Sequence, residues 1–269
     1  MIGAILGDII GSVYEFKGVK TKDFPLFTNR SDFTDDTIMT LAVASALLET
    51  EEVRRGGDGT GWKDVLIRTM KALGEKYPTP MGGYGGRFRF WMFSDTEPYN
   101  SFGNGSAMRV SPCGFAANNL EEALALAKTS AEVTHNHPEG IKGAQATAGC
   151  VFLAKTGHSK EEIRSFVTEG FYPLDFTLDT IREEYRFNES CQGTVPQSIE
   201  AFLESSDYED AVRNTISLGG DADTMGAITG GIASAFYGVP EDLKKAAKSY
   251  LSEDLLEILE AFEAKYESR

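Results

Sequence analysis

Three glycines set the first constraint on this chain. Gly3, Gly7 and Gly11 recur every fourth residue inside the apolar stretch 2–14, so a helix there carries all three on one face. Glycine costs about 1 kcal/mol relative to alanine in a helix interior. A stripe of three needs an offsetting gain, and the usual one is close approach of another backbone or of a ligand. The first element is therefore predicted to be a helix pressed against something that tolerates no side chain.

The same period continues along the chain. Helices are predicted over 36–49, 62–75, 120–134, 138–155 and 159–169, then over 194–204, 208–218, 223–236, 240–250 and 253–266. Ser159 with Glu162 reads as a capping box, and Pro240 suits a first helical turn. Alternating valine and isoleucine runs bounded by turns are nearly absent, so the predicted class is all-α, with ten or more helices. No solenoid repeat and no Pro/Ser-rich linker divides the 269 residues, which reads as one domain, 1–269. Two segments lack the helical period, 16–33 and 77–106. The second is rich in glycine and aromatics, a composition that lets backbone amides and ring faces approach a ligand. Within it, Arg87-Phe88-Arg89-Phe90-Trp91 reads as a packing segment.

Charge narrows the partners. Lys and Arg number 26 against 41 Asp and Glu, a net charge of −15. No broad phosphate-neutralising surface fits that balance, so nucleic acid is not an expected partner. No apolar run reaches the roughly 20 residues of a membrane helix. The N-terminal stretch lacks a basic leader and holds Asp8 inside it. Cys113, Cys150 and Cys191 fit no zinc spacing and read as reduced core thiols, which points to the cytoplasm. A monomer is the expected state.

Chemistry is concentrated in two short acidic motifs, each at a predicted helix start: Thr34-Asp35-Asp36, and Asp221-Ala222-Asp223-Thr224 after Gly219-Gly220. Singly, each is a good helix cap. Together they supply four carboxylates and two hydroxyls, more than two caps need. If the two helix starts meet, four carboxylates repel one another and the site calls for cations. All-oxygen donors select hard ions, Mg²⁺ or Mn²⁺ or Ca²⁺ rather than zinc, and six such groups suit a two-metal centre. The spacing is not that of an EF-hand. There is no Gly-x-Ser-x-Gly elbow, Walker A loop or His-Glu-x-x-His. His135 is a candidate binding residue at the 134–138 junction, and His158 reads as a helix-end residue.

At this point the chain resembles the ADP-ribosylglycohydrolases. The resemblance is carried, in order, by residues 3–15 (GAILGDIIGSVYE), 33–37 (FTDDT) and 82–85 (GGYG). It continues through 101–109 (SFGNGSAMR), Thr134-His135 and 219–224 (GGDADT). It implies an all-α fold holding two divalent ions, Mg²⁺ or Mn²⁺, in a central cleft that takes ADP-ribose. It makes Thr34, Asp35, Asp36, Asp221, Asp223 and Thr224 the metal ligands. Backbone amides in Gly83-Tyr84-Gly85 and Ser101-Phe102-Gly103-Asn104-Gly105 would cradle the diphosphate. Phe102 and His135 would flank the nucleoside or ribose. Glu15 and Asp36 are the candidates for acid–base work in the attack of water at ribose C1″. The implied substrate is an ADP-ribosylated protein, through arginine or serine, or an ADP-ribosylated small molecule. The competing expectations are a crystallin-like binder of ADP-ribose without turnover and a two-metal phosphoesterase that cuts the diphosphate.

Overall fold

A computed structural model of the chain describes residues 1–51, 61–94 and 97–267. Among them the only regular secondary structure is helical, with two isolated β-bridges, Thr34 to Met81 and Gly103 to Ser190. The helices are α1 (Ile2–Gly11), α2 (Asp35–Glu49), α3 (Gly61–Lys76), α4 (Gly86–Met92), α5 (Gly105–Met108), α6 (Ser111–Ala116), α7 (Leu120–Glu132) and α8 (Pro138–Lys155). They continue as α9 (Lys160–Gly170), α10 (Leu178–Ile181), α11 (Cys191–Leu203), α12 (Tyr208–Ile216), α13 (Ala222–Tyr237), α14 (Glu241–Lys248) and α15 (Glu253–Tyr266). The long periodic segments appear where expected. The short helices α4, α5, α6 and α10 do not follow from periodicity, because they span two turns or fewer.

The glycine stripe explains the centre of the molecule. Every residue of α1 is buried, Asp8 included, and α1 lies antiparallel along α13. A Cβ on Gly3 would fall 2.5 Å from the Gly230 carbonyl oxygen, one on Gly7 1.9 Å from that of Gly226, and one on Gly11 2.2 Å from that of Ala222. The reverse also holds, since a Cβ on Gly226 would meet the Gly7 carbonyl oxygen at 2.3 Å. Of the two expected reasons for the stripe, backbone contact is the one observed. Around this pair pack α2, α8, α11, α12 and α14, and α2 is covered in turn by α3 and α15. A continuous apolar core runs from Met1 to Phe262. Cys113, Cys150 and Cys191 are free thiols within it.

Local signals hold in detail. Ser159 and Glu162 form the capping box of α9. Pro240 is the N-cap of α14, one place before the first turn. The segment 77–106 is less irregular than its composition suggests, because α4 forms inside it; residues 95 and 96 lie outside the described residues. Within α4, Phe88 and Trp91 pack as expected, Phe90 points to solvent, and Arg87 reaches a cavity wall. No helix among the described residues is long and apolar enough to cross a membrane.

Candidate metal centre and cleft

An antiparallel pair brings the end of one helix to the start of the other. The last turns of α1 therefore sit beside the first turn of α13. Asp8 comes from α1 and Glu15 from the turn just after it, Asp221, Asp223 and Thr224 from the start of α13, and the start of α2 adds Thr34, Asp35 and Asp36. Carboxylate oxygens of Asp8, Asp36 and Asp223 lie within 4.8 Å of one another, as do those of Glu15, Asp221 and Asp223. Asp223 belongs to both groups, and no other acidic, His or Cys cluster of this kind occurs among the described residues. Asp35, Asp36, Glu15, Asp221, Asp223 and Thr224 face a cavity of about 330 Å³.

Each acid is held differently. Thr34 is the N-cap of α2, and its Oγ1 accepts from the Asp36 amide at 3.2 Å. Asp8 accepts from the Thr34 amide at 3.0 Å, the Thr34 hydroxyl at 2.8 Å, the Thr37 amide at 3.1 Å and the Thr37 hydroxyl. It thus ties α1 to the start of α2. Asp36 Oδ2 accepts from the Thr224 hydroxyl at 3.3 Å and lies 3.2 Å from the Thr34 hydroxyl, whose one hydrogen it shares with Asp8, whereas its buried Oδ1 has no partner. Asp221 occupies the N-cap position of α13 without making a capping bond, and accepts instead from Asn104 Nδ2 at 2.7 Å. Capping accounts for Thr34 but not for Asp221.

These acids raise one another's proton affinity. Burial, then the neighbouring carboxylates, pushes Asp35, Asp36 and Asp223 well above the ordinary carboxylate range. Burial lifts Asp8 and Asp221 to about 6. Glu15, half-buried, rises to about 8, first by burial and then by Asp223, Asp8 and Glu189. A buried carboxylate oxygen without a donor, inside a cluster of mutually repelling acids, fits a hard divalent cation. Asp36 Oδ1 and the two overlapping groups of acids meet that test.

The cavity walls come from loops. Gly82 and Gly83 take positive φ, +75° and +80°, which lets the chain turn beside Glu15; a Cβ on Gly82 would lie 3.2 Å from Glu15 Oε2. Residues 102–104 are pinned to 189–191: the Asn104 amide donates to the Glu189 carbonyl at 2.7 Å and the Cys191 amide to that of Phe102 at 2.9 Å. This pairing puts Glu189 on the cavity wall. The amides expected to cradle an anion are partly committed, because Gly83 N–H donates to Pro80 O, Gly103 N–H to Ser101 Oγ and Asn104 N–H to Glu189 O. Gly83, Gly85, Ser101, Gly103, Asn104, Gly105 and His135 line the cavity. Tyr84 does not. It is buried, with its hydroxyl on the Tyr77 carbonyl at 3.0 Å. Phe102 is 49% exposed and sits edge-on to His137, outside the lining.

Sequence reasoning assigned no role to Asp8, Glu189 or Arg109. An acid within a glycine-striped apolar helix was the available signal for Asp8. Nothing local marks Glu189, which reaches the wall through pairing with a distant loop. Arg109 is fully buried at the cavity edge, with Nε and one terminal nitrogen unpartnered. A wider groove of about 890 Å³ lies at the far end of α1, among side chains such as Lys248 and Glu263, and gathers no comparable cluster.

The family model described as ADP-ribosylglycohydrolase matches residues 1–269. ADP-ribosylhydrolase ARH3 of Bos taurus is 25% identical over 95% of this chain and 89% of its own length. ADP-ribosylarginine hydrolase Tri1 of Pseudomonas putida (strain GB-1) is 25% identical over 93% of this chain and 73% of its own. A solved structure described as an ADP-ribosylglycohydrolase-related protein complex superposes with a TM-score of 0.58 at 25% identity, covering 97% of each chain.

Proposed function

The chain belongs to the ADP-ribosylglycohydrolase family, and on that premise we propose that it hydrolyses the bond between ADP-ribose and an acceptor by attack of water at ribose C1″. The observation that carries this reading is the pair of carboxylate groups sharing Asp223 on the floor of the cavity. Asp35, Asp36, Asp221 and Asp223, with Thr34 and Thr224, are the residues to hold two divalent cations, Mg²⁺ or Mn²⁺. When bound, such cations supply Lewis acidity and neutralise the floor beneath the ribose. Asp8 is already saturated by four donors and serves to orient Thr34 and the start of α2.

The chain's own groups divide the remaining work. Breaking the bond at C1″ places positive charge on the ribose and negative charge on the departing atom. Glu15, half-buried beside Asp221 and Asp223, is the candidate to hand a proton to the departing atom. Asp36 is the candidate to orient the water or take its proton. His135 and the 101–105 loop line the part of the cavity left for the rest of the substrate. The protein acts as a monomer in the cytoplasm on an ADP-ribosylated protein or small molecule. An arginine-linked acceptor is the first to try, because the relative from Pseudomonas putida is named for it.

The test is product analysis by mass spectrometry. ADP-ribosyl-arginine and ADP-ribosyl-serine peptides are incubated with the protein in Mg²⁺, in Mn²⁺ and in chelator. Intact ADP-ribose released only with metal is the expected result. AMP with ribose 5-phosphate still attached to the peptide would overturn the glycosidic assignment in favour of diphosphate cleavage. Glu15→Gln should lose about 10²-fold or more in turnover while keeping its cations.

A further inference from the structure

His135 has one N–H to give, and its neighbours decide which nitrogen carries it. Burial, then the charges of Arg109 and Arg87, hold the imidazole well below its usual pKa, so the ring is neutral. Nδ1 lies 2.7 Å from Thr134 Oγ1. The same Oγ1 is 2.9 Å from an Arg109 terminal nitrogen, which also donates to the Ser130 carbonyl at 2.7 Å. A guanidinium can only donate, so Thr134 Oγ1 accepts from Arg109. One lone pair of the Thr134 oxygen is thereby taken. Its own hydrogen is buried in a residue with no exposure and has Nδ1 as the near acceptor.

We propose that Arg109 is a positioning residue: through Thr134 it makes His135 Nδ1 an acceptor, so that the ring hydrogen sits on Nε2 and faces the cleft as a fixed, uncharged donor. Nε2 lies beside the 103–105 turn, where a Cβ on Gly105 would approach it to 3.2 Å and one on Gly103 to 3.5 Å. Among the described residues Nε2 has no acceptor. Those glycines leave room for a ligand oxygen to reach it. The matching ligand group is a hydroxyl or phosphoryl oxygen, not a cation. Use of this donor by ADP-ribose rests on the proposed function; the tautomer does not.

The experiment reads the ring nitrogens directly. The full chain, labelled with ¹⁵N-histidine, has only His135, His137 and His158, and His135→Gln assigns the signal. The expected spectrum of His135 is that of a neutral ring protonated at Nε2, unchanged from about pH 6 to 8, because burial holds its pKa well below that window. Thr134→Val should mix the tautomers, and Thr134→Ser should restore the Nε2–H form. With ADP-ribose titrated by calorimetry, Thr134→Val should weaken binding about tenfold, roughly the value of one hydrogen bond, and Thr134→Ser should recover it. In turnover, the loss should fall on KM rather than kcat. Arg109→Lys, which keeps the buried charge, tests the first link without leaving an empty site. A wild-type ring protonated at Nδ1, or a Thr134→Val protein with unaltered tautomer and affinity, overturns the proposal. If the tautomer is as stated and ADP-ribose does not bind at all, the proposed function fails while the Arg109–Thr134–His135 relay stands.

Discussion

The floor and the rim of the cleft are built on opposite principles. The floor acids sit at the ends of helices whose backbones touch, with no side chain between Gly7 and Gly226 to let them shift. The rim is loop, held by a few bonds such as Asn104 N–H to Glu189 O, and carries exposed aromatics such as Phe102 and Phe16. A cluster of repelling carboxylates needs a rigid frame, since any slack would let the acids swing out to water. A surface that must admit a substrate can be looser. The difference predicts that floor and rim fail separately.

The largest effect should come from breaking the seam. In Gly7→Ala the new Cβ would fall 1.9 Å from the Gly226 carbonyl oxygen, on backbone that has no side chain to turn aside. Overpacking of this kind costs roughly 3 kcal/mol, and more where two helices must separate. Denaturant unfolding should show that loss, and calorimetry should show cation binding lost with it. The matched rim change, Gly85→Ala, meets nothing within 4 Å and adopts φ −53°. It should move stability by no more than about 0.5 kcal/mol. A Gly7→Ala protein that unfolds normally and binds cations normally would show that the seam does not set the floor.

That contrast also explains what could be read from the sequence. The glycine spacing implied close approach of a backbone or a ligand, and the two acidic motifs implied a cation site if they met. What joins these readings is the antiparallel pairing of α1 with α13, a long-range fact that neither motif contains. Asp8 was visible only as a charge in an apolar helix, because its four donors come from residues 34 and 37. The rim was less legible. Tyr84 and Phe102 have the same aromatic character in the sequence, yet one turns inward to Tyr77 and the other outward to His137. Helix α4 is too short to show a period, and its flanking Gly85 and Gly86 read as loop.

Next in size is the pH response of the floor. A carboxyl whose folded pKa lies above its unfolded value of about 4 costs nothing when both states are protonated. The cost accumulates as pH rises from that unfolded value to the folded one, which is about 6 for Asp8 and Asp221 and higher for Asp36 and Asp223. In chelator, therefore, stability should fall from pH 5 to pH 8, by on the order of 3 kcal/mol. Mg²⁺ or Mn²⁺ should flatten the curve. Asp36→Asn removes one of the repelling charges. It should reduce the slope in chelator, raise stability there by about 1 kcal/mol, and lower cation affinity at least tenfold. Unfolding midpoints measured across this pH range, with and without cations, check all three. A stability that rises with pH in chelator would mean that the acids are not pressed together.

The smallest effect on stability, and the sharpest test of independence, belongs to the rim. Phe102 is 49% exposed and touches His137 through a ring contact at 5.5 Å between centroids, so its removal exposes little new core. Phe102→Ala should change stability by no more than about 0.5 kcal/mol. Its cation affinity should equal that of the parent, because the loop's tie to the floor runs through Asn104 Nδ2 and Asp221 rather than through the ring. If the ring turns to cover a bound nucleoside, KM for the ADP-ribosylated substrate should rise several-fold, with kcat nearly unchanged, as for a group that binds ground state and transition state alike. A fall in cation affinity would reveal that the 101–105 loop transmits strain to Asp221. Floor and rim would then form one mechanical unit, coupled through the Asn104 hydrogen bond, and Asn104→Ala would be expected to reproduce the Phe102→Ala defect.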